Sequence, residues 1–145
     1  MKLVRENLNF ERTDNPFRNL GIGRRAQIEK WLEEMGVENY TINDDLTIDV
    51  NGNVNLNYKN LNSFPSFIKF GKIERYFDCG YNYLTSLKGC PQKVNLGFYC
   101  NHNQLISLKG CPKYVGWDFF CINDTKKFTE EEVRKFCDVK RKIEV

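Results

Sequence analysis

Residues 84–104 read LTSLKGCPQKVNLGFYCNHNQ, and residues 105–125 read LISLKGCPKYVGWDFFCINDT. Ten of these 21 aligned positions are identical, including the run LKGCP. Residues 61–83, LNSFPSFIKFGKIERYFDCGYNY, fit the same pattern with two extra residues in the middle, and residues 54–61 supply one more partial unit. A repeat of this length is typical of a solenoid, in which each unit buries its apolar face against the next.

Each unit carries the pattern of one short strand. In FYCNHNQLISL, apolar residues alternate at Phe98 and Cys100, and leucines follow at positions 105 and 108. The pattern predicts a strand with one face inward, then a bend after which both leucines turn inward. A polar side chain at the bend can satisfy backbone groups. The residues at this position in successive units are Lys59, Asn82, Asn103 and Asp124.

The segment LTSLKGCPQKV resembles the short LPX-type leucine-rich repeats of bacterial effector proteins, with Gly-Cys-Pro in place of that family's proline-rich stretch. The resemblance covers residues 54–125. It implies an α/β fold, namely a small leucine-rich-repeat solenoid of about three to four repeats with a parallel sheet. It implies no particular activity, because unrelated functions use the same scaffold.

The residues before the repeats are suited to covering one open end of the solenoid. In residues 24–35, the apolar side chains of Ile28, Trp31, Leu32 and Met35 share one helix face, and Gly36 is suited to ending the helix. In LTIDVNGNVNLNY, apolar residues alternate on both sides of Asn51-Gly52, which predicts a hairpin. A three-residue loop would pair the alternating residues on one face: Val50 with Val54, and Ile48 with Leu56.

The residues after the repeats predict a second cap. Thr129 and Glu132 form a capping-box pattern, which predicts a helix over about 130–137. Residues 140–145 predict a final edge strand with Ile143 and Val145 inward. We therefore divide the chain into an N-terminal segment with a capping helix and hairpin (1–53), leucine-rich repeats (54–125) and a C-terminal cap (126–145), all within one structural domain.

Composition excludes several classes of protein. The chain has 145 residues, 22 of them basic and 19 acidic, so its net charge of +3 does not indicate a polyelectrolyte partner. No apolar run approaches the roughly 18 residues of a membrane span, and the N-terminus lacks an apolar signal core. These features predict a cytoplasmic protein that contacts no membrane.

The sequence predicts neither a metal site nor an active site. The six cysteines contain no Cys-x-x-Cys pair, so we expect no metal or other cofactor. We expect the cysteines to be buried instead, with Cys79, Cys100 and Cys121 in one inward ladder and Cys90 and Cys111 in another. His102 is the only histidine, and no nucleophile can be paired with it from the sequence. Gly21-Ile22-Gly23 fits a loop before a helix better than an anion site. The chain is therefore not expected to be an enzyme.

The opening RENLNFERTDNPFRNLGIGRR is similar to the N-termini of small uncharacterised proteins from large tailed bacteriophages. The similarity covers roughly the first 25 residues. It implies a viral origin, a location in the cytosol of an infected bacterium, and an anti-defence role in which the protein captures a component of host defence.

The strand period leaves a row of aromatic and polar side chains on the outer face of the sheet. Such aromatic side chains are favoured in protein interfaces, so we expect this face to bind a partner protein of the bacterial host. The candidate partner-binding residues are Tyr76, Asp78, Tyr81, Tyr99, Asn101, His102, Asp118 and Phe120.

Two alternatives remain. Nucleic acid or a nucleotide could stack on the same aromatic face, although the lysines of the repeats fall on the turn and convex segments rather than on this face. The final edge strand near Ile143 could instead pair with a second copy of the chain.

Overall fold

The computed structural model describes residues 22–145. Most of the opening segment RENLNFERTDNPFRNLGIGRR, including Gly21 of the Gly-x-Gly sequence, lies outside the described residues. The chain divides into two compact units, Met1–Trp31 and Leu32–Val145. Helix α1 spans Ile22–Glu34, and Ile28, Trp31 and Leu32 on its predicted apolar face are buried. The N–H of Gly36, at φ +77°, and that of Val37 donate to the carbonyls of Glu33 and Leu32, which ends the helix as predicted.

The second unit contains a β-solenoid of about five coils. Each coil contributes one short strand to each of two parallel sheets, with a corner of a few residues between the strands. The first sheet has β1 (Tyr40–Ile42) as an antiparallel edge strand. Its parallel strands are β2 (Ile48–Val50), β4 (Phe70–Ile73), β6 (Lys93–Val94), β8 (Tyr114–Val115) and β10 (Asp138–Val139). The second sheet contains β3 (Val54–Asn55), β5 (Phe77–Asp78), β7 (Phe98–Tyr99), β9 (Phe119–Phe120) and β11 (Ile143–Glu144).

The predicted solenoid and parallel pairing are confirmed, whereas the leucine-rich identity and the count of three to four repeats are not. The additional coils come from the flanks: residues 48–55 and 138–144 continue the two sheets beyond the segment that was predicted to hold the repeats. The part predicted to be the convex side of a single sheet therefore forms the first of these two sheets.

The hairpin predicted at Asn51-Gly52 is wrong. Val50 and Val54 lie on strands of different sheets, and the residues between them form a corner of the first coil. The sequence alternates as it would in a hairpin because the apolar side chains on either side of a coil corner, which face the core, have the same spacing along the chain as those on either side of a hairpin loop. The antiparallel pair lies earlier, where β1 (Tyr40–Ile42) pairs with β2 in the register Tyr40 to Val50 and Ile42 to Ile48.

The core consists of side-chain columns that run from coil to coil. Phe77, Phe98 and Phe119 occupy equivalent positions, and their ring centroids lie 5.9 and 5.2 Å apart. On the first sheet, the column consists of Ile73, Val94, Val115 and Val139. All of these side chains are buried, so each coil stabilises the next by excluding water from the shared apolar surface.

Buried asparagines hold the bends together. Asn103 Oδ1 accepts the Leu84 N–H at 2.9 Å, and its Nδ2 donates to the carbonyls of Cys79 and Cys100. Asn82 makes equivalent bonds, including one from the N–H of Lys59, so the first coil uses the asparagine of the second.

The prediction that Asp124 takes this role in the fourth coil is wrong. Asn123 accepts the Leu105 N–H at 2.9 Å and donates to the Leu105 carbonyl. The position requires a group that both donates and accepts, and a carboxylate only accepts. Asp124 points outward instead, where it is exposed.

The C-terminal elements follow the predicted pattern. Helix α2 spans Glu130–Phe136, and the capping box between Thr129 and Glu132 is formed. Strand β11 lies at the edge of the second sheet and pairs in parallel with β9. The roles of α1 and α2 as caps, and the domain boundaries at residues 53 and 125, stay predictions. Within residues 22–145, no helix is both long and apolar enough to cross a bilayer.

Candidate functional site

The outer face of the second sheet carries the candidate residues, which line up in columns that run from coil to coil. The register aligns Asn55, Asp78, Tyr99, Phe120 and Glu144 on successive strands. A second column follows the strand ends, where Tyr58 and Tyr81 are 67% and 45% exposed. The other candidates, Tyr76, Asn101, His102 and Asp118, are half-buried on the same face.

Three aromatic side chains of the second column stack directly on one another. The ring centroids of Tyr58 and Tyr81 lie 4.6 Å apart with an angle of 11° between the planes, and those of Tyr81 and His102 lie 4.7 Å apart at 28°. His102 Nδ1 lies 2.9 Å from Asp124 Oδ1, which fixes the outer end of the stack. We call Tyr58, Tyr81 and His102 the aromatic ladder.

The backbone of every ladder residue is left-handed. The φ values are +55° at Tyr58, +55° at Tyr81 and +59° at His102. Bulky side chains rarely adopt this conformation, which costs roughly 1–2 kcal/mol per residue, whereas glycine and asparagine tolerate it. The bend has this conformation in the first three coils but not at Asn123 in the fourth, and in those three coils the sequence places large rings at these positions.

A shallow groove of about 340 Å³ runs beside the ladder. The ladder residues form one wall, and Asn60, Tyr83 and Asp124 complete the lining above Asn82. Tyr83 is 51% exposed and follows the bend, so its ring is available to a molecule that enters the groove.

A second group of rings lies at the other end of the short strands. Tyr99 stacks on Tyr76 with centroids 5.9 Å apart and lies 5.4 Å from Phe120, while Tyr76 meets Trp117 edge to face at 6.1 Å. We call these four residues the aromatic cluster. Gly97 makes the arrangement possible, because a side chain there would collide with the Tyr99 ring that lies over it.

Charges of both signs surround the aromatic cluster. The guanidinium of Arg141 lies 5.1 Å from the Trp117 ring and the ammonium of Lys142 lies 5.8 Å from the Phe120 ring. Asp118 Oδ1 lies 4.0 Å from Arg141 Nε. The face therefore has a mixed charge pattern rather than a cationic one.

Three of the candidate residues join neighbouring coils. Asn101 Oδ1 accepts the Ile122 N–H at 2.7 Å, and Asp118 accepts the N–H of Lys142 at 3.1 Å. Asp78 accepts from Gly80 and from the Asn57 amide, and burial raises the pKa of its carboxyl group. Burial also raises the pKa of Tyr99. Asn101, Asp78 and Asp118 thus support the face, while the aromatic rings form most of its surface.

The prediction from sequence omitted Trp117, and it did not include Tyr58 or Tyr83 among the candidate binding residues. Trp117 precedes the strand at a coil corner and its side chain is 39% exposed, so the period-2 pattern of the strand does not assign it to a face. Extending the alignment of equivalent residues beyond the ends of the strands would have identified all three residues.

The cysteines form the predicted buried ladders, and all six are free. Burial raises the pKa of Cys111 and of Cys137 to about 12, and it raises the pKa values of Cys90 and Cys100 as well. These thiols therefore stay protonated at neutral pH, in the form that is a poor nucleophile. In the described part of the chain, no group of three or more His, Cys, Asp or Glu side chains is arranged to hold a metal ion.

Comparisons of the chain with models of protein families, with curated proteins and with solved structures found no match.

Proposed function

We propose that this chain is a leucine-rich-repeat type solenoid that binds a partner protein through the aromatic ladder and the aromatic cluster, without catalysis. The ladder supports the proposal most directly. Three large rings occupy left-handed backbone positions where glycine or asparagine would fit at lower free energy. Backbone strain of this kind is found preferentially at functional sites.

The stacking geometry favours a protein over nucleic acid at this face. Both faces of the Tyr81 ring are covered, one by Tyr58 and the other by His102, and Tyr99 lies between Tyr76 and Phe120. A nucleobase stacks on a free ring face. The exposed edges and hydroxyl groups of these tyrosines instead suit the mixed apolar and polar contacts of a protein interface.

The similarity of the opening residues to phage proteins supports a partner from the bacterial host. In this proposal the protein acts in the bacterial cytosol and captures a component of antiviral defence. Self-association through β11 is a further outcome that the same experiment resolves, because β11 lies at a sheet edge.

Affinity capture with matched variants tests the proposal. The tagged full-length chain is incubated with nuclease-treated bacterial lysate beside Tyr81→Asn, Tyr99→Ala and Tyr114→Asn, and retained proteins are quantified by mass spectrometry. Tyr114 is the control because it lies on β8 of the opposite sheet, in contact with Lys93 rather than with the aromatic surface.

We expect one host protein that is retained by the wild type and by Tyr114→Asn but lost from Tyr81→Asn and weakened in Tyr99→Ala. Loss of a hot-spot aromatic typically weakens a complex by about 2 kcal/mol or more, which is roughly 30-fold in Kd. A partner that all variants retain equally would exclude the aromatic surface. Recovery of the chain itself, with a doubled mass in size-exclusion chromatography, would favour self-association.

A further inference from the structure

The convex segments of three successive coils carry only positive charge. Residues 61–73, 84–95 and 105–115 contain no aspartate, glutamate or arginine. They contain two lysines each, and every one of these six side chains is exposed. We call this set the lysine strip: Lys69, Lys72, Lys88, Lys93, Lys109 and Lys113.

The fold places these lysines close together. Lys72 and Lys93 are direct neighbours on adjacent strands of the first sheet, and Lys88 and Lys109 occupy the same position of identical Ser-Leu-Lys-Gly turns. Like charges on neighbouring strands are unfavourable unless an anion lies between them. Three carboxylates lie at the margins of the strip: Asp49 Oδ1 accepts the Lys72 N–H at 2.8 Å, Glu74 is 3.4 Å from the Lys72 ammonium, and Asp138 is 3.0 Å from Lys140 in the last coil.

A cavity of about 350 Å³ lies within the strip. Its polar lining consists of three serines and two lysines, and its apolar lining includes Phe64 and Ile68. The two-residue insertion in the second coil builds this cavity, because the inserted loop packs against the next turn, where a side chain at Gly89 would lie 2.8 Å from the Ile68 carbonyl. The polar residues are Ser63, Ser66, Ser86, Lys69 and Lys88.

The cavity combines ammonium groups with hydroxyl donors and has no carboxylate in its lining. Ser86 Oγ accepts the Lys88 N–H at 3.0 Å, so the hydroxyl hydrogen of Ser86 is free to donate to a ligand. Lysine and serine side chains are typical partners of phosphate oxygens in complexes with nucleic acids.

We propose that the lysine strip binds the sugar-phosphate backbone of a nucleic acid strand, with one phosphate in the serine-lined cavity. Four of the lysines occupy two repeated positions, Lys72 with Lys93 and Lys88 with Lys109, and the regularly spaced charges of a polyanion match them. An acidic protein fits less well, because lysine is depleted from protein interfaces and the strip offers few apolar side chains. The proposal concerns the sheet opposite the aromatic surface and is independent of the partner protein.

Fluorescence anisotropy with a fluorescein-labelled single strand of 20 thymidines tests the proposal with the full-length chain. If four lysines contact phosphates, counterion release predicts that Kd rises roughly 50-fold between 50 and 200 mM KCl. The variant Lys88→Gln/Lys93→Gln should raise Kd roughly 25-fold near 0.1 M salt and reduce the salt dependence. Ser66→Ala should raise Kd without changing the salt dependence, because a hydroxyl group displaces no counterion.

Lys126→Gln/Lys135→Gln is the matched control, since it removes the same charge from residues outside the strip. Circular dichroism checks that each variant is folded. The proposal is overturned if no binding occurs at 50 mM KCl, if the control pair weakens binding as much as the strip pair, or if Tyr81→Asn abolishes it. Equally tight binding of a 20-residue polyglutamate peptide would overturn the assignment to phosphate.

Discussion

Tyr81→Asn separates the function of the aromatic ladder from its contribution to folding. Replacing a large aromatic residue on a β-rich surface ordinarily destabilises a protein, because packing and strand propensity are lost together. At Tyr81 the backbone is left-handed, with φ at +55°, and asparagine tolerates this conformation better than tyrosine does.

The opposing contributions at this position nearly cancel. Relief of the left-handed backbone favours the variant by roughly 1–2 kcal/mol. Loss of the ring contacts with Tyr58 and His102 costs roughly 0.5–1.5 kcal/mol each. We therefore expect the free energy of unfolding to change by less than about 1 kcal/mol, and the complex with the partner to weaken by at least tenfold.

Tyr114→Asn is the matched comparison. Tyr114 lies on regular strand β8, with the ammonium groups of Lys93 and Lys140 at 5.1 and 5.8 Å from its ring. Loss of β propensity and of two cation–π contacts should cost about 2 kcal/mol. Urea unfolding followed by circular dichroism measures both variants. An equal loss of stability in the two would refute the argument from backbone strain.

Three further predictions concern the scaffold. Asn103→Ala leaves one N–H and two carbonyls without their partner, so the free energy of unfolding should fall by about 2–4 kcal/mol in urea; a loss below 1 kcal/mol would mean that water replaces the amide. Burial raises the pKa of Cys111 and Cys137 from 9.0 to about 12, so stability should be constant below pH 8 and fall as pH rises toward 12; identical urea midpoints at pH 7 and pH 10 would contradict this. Thr129→Ala removes the capping box and should lower the free energy of unfolding by about 1 kcal/mol. Thr129→Ser keeps a capping hydroxyl group and should retain most of that stability.

The repeat made the interior of the solenoid predictable. Once Phe98 and Cys100 were assigned to the inner face, the 21-residue spacing of the repeats assigned Phe119 and Cys121 as well, and all four are buried. The outward column through Tyr99 and Phe120 followed from the same alternation. Capping of α2 was predictable because a capping box is a local interaction between residues three apart.

The first sheet was not predictable from the same pattern. Its strands are two to four residues long, too short for an alternation of apolar and polar residues to be recognised. The sequence around Val94 and Val115 is equally consistent with a loop whose apolar side chains face inward. The prediction of a hairpin at Asn51-Gly52 was wrong for a related reason, because apolar residues have the same spacing on both sides of a hairpin loop and of a coil corner. Ring stacking within the ladder was equally hidden, since it depends on the left-handed bend rather than on the strand.

The two proposed binding faces differ in how strictly they repeat, and this difference bears on their ligands. Residues 86–91 and 107–112 are identical, SLKGCP in both coils, so the turn that carries Lys88 recurs unchanged with Lys109. On the aromatic face the equivalent residues differ: Asp78, Tyr99 and Phe120 occupy the same position of successive coils.

Packing explains why Leu87 and Cys90 recur in this turn, since both are buried, but it does not explain why the exposed lysine recurs with them. A nucleic acid backbone presents the same phosphate at every step and is matched by identical side chains at each coil. The surface of a folded protein has no such period, so a face that recognises it requires a different side chain at each position. The lysine turn shared by two successive coils therefore fits a periodic polyanion, and the varied aromatic face fits a single protein partner.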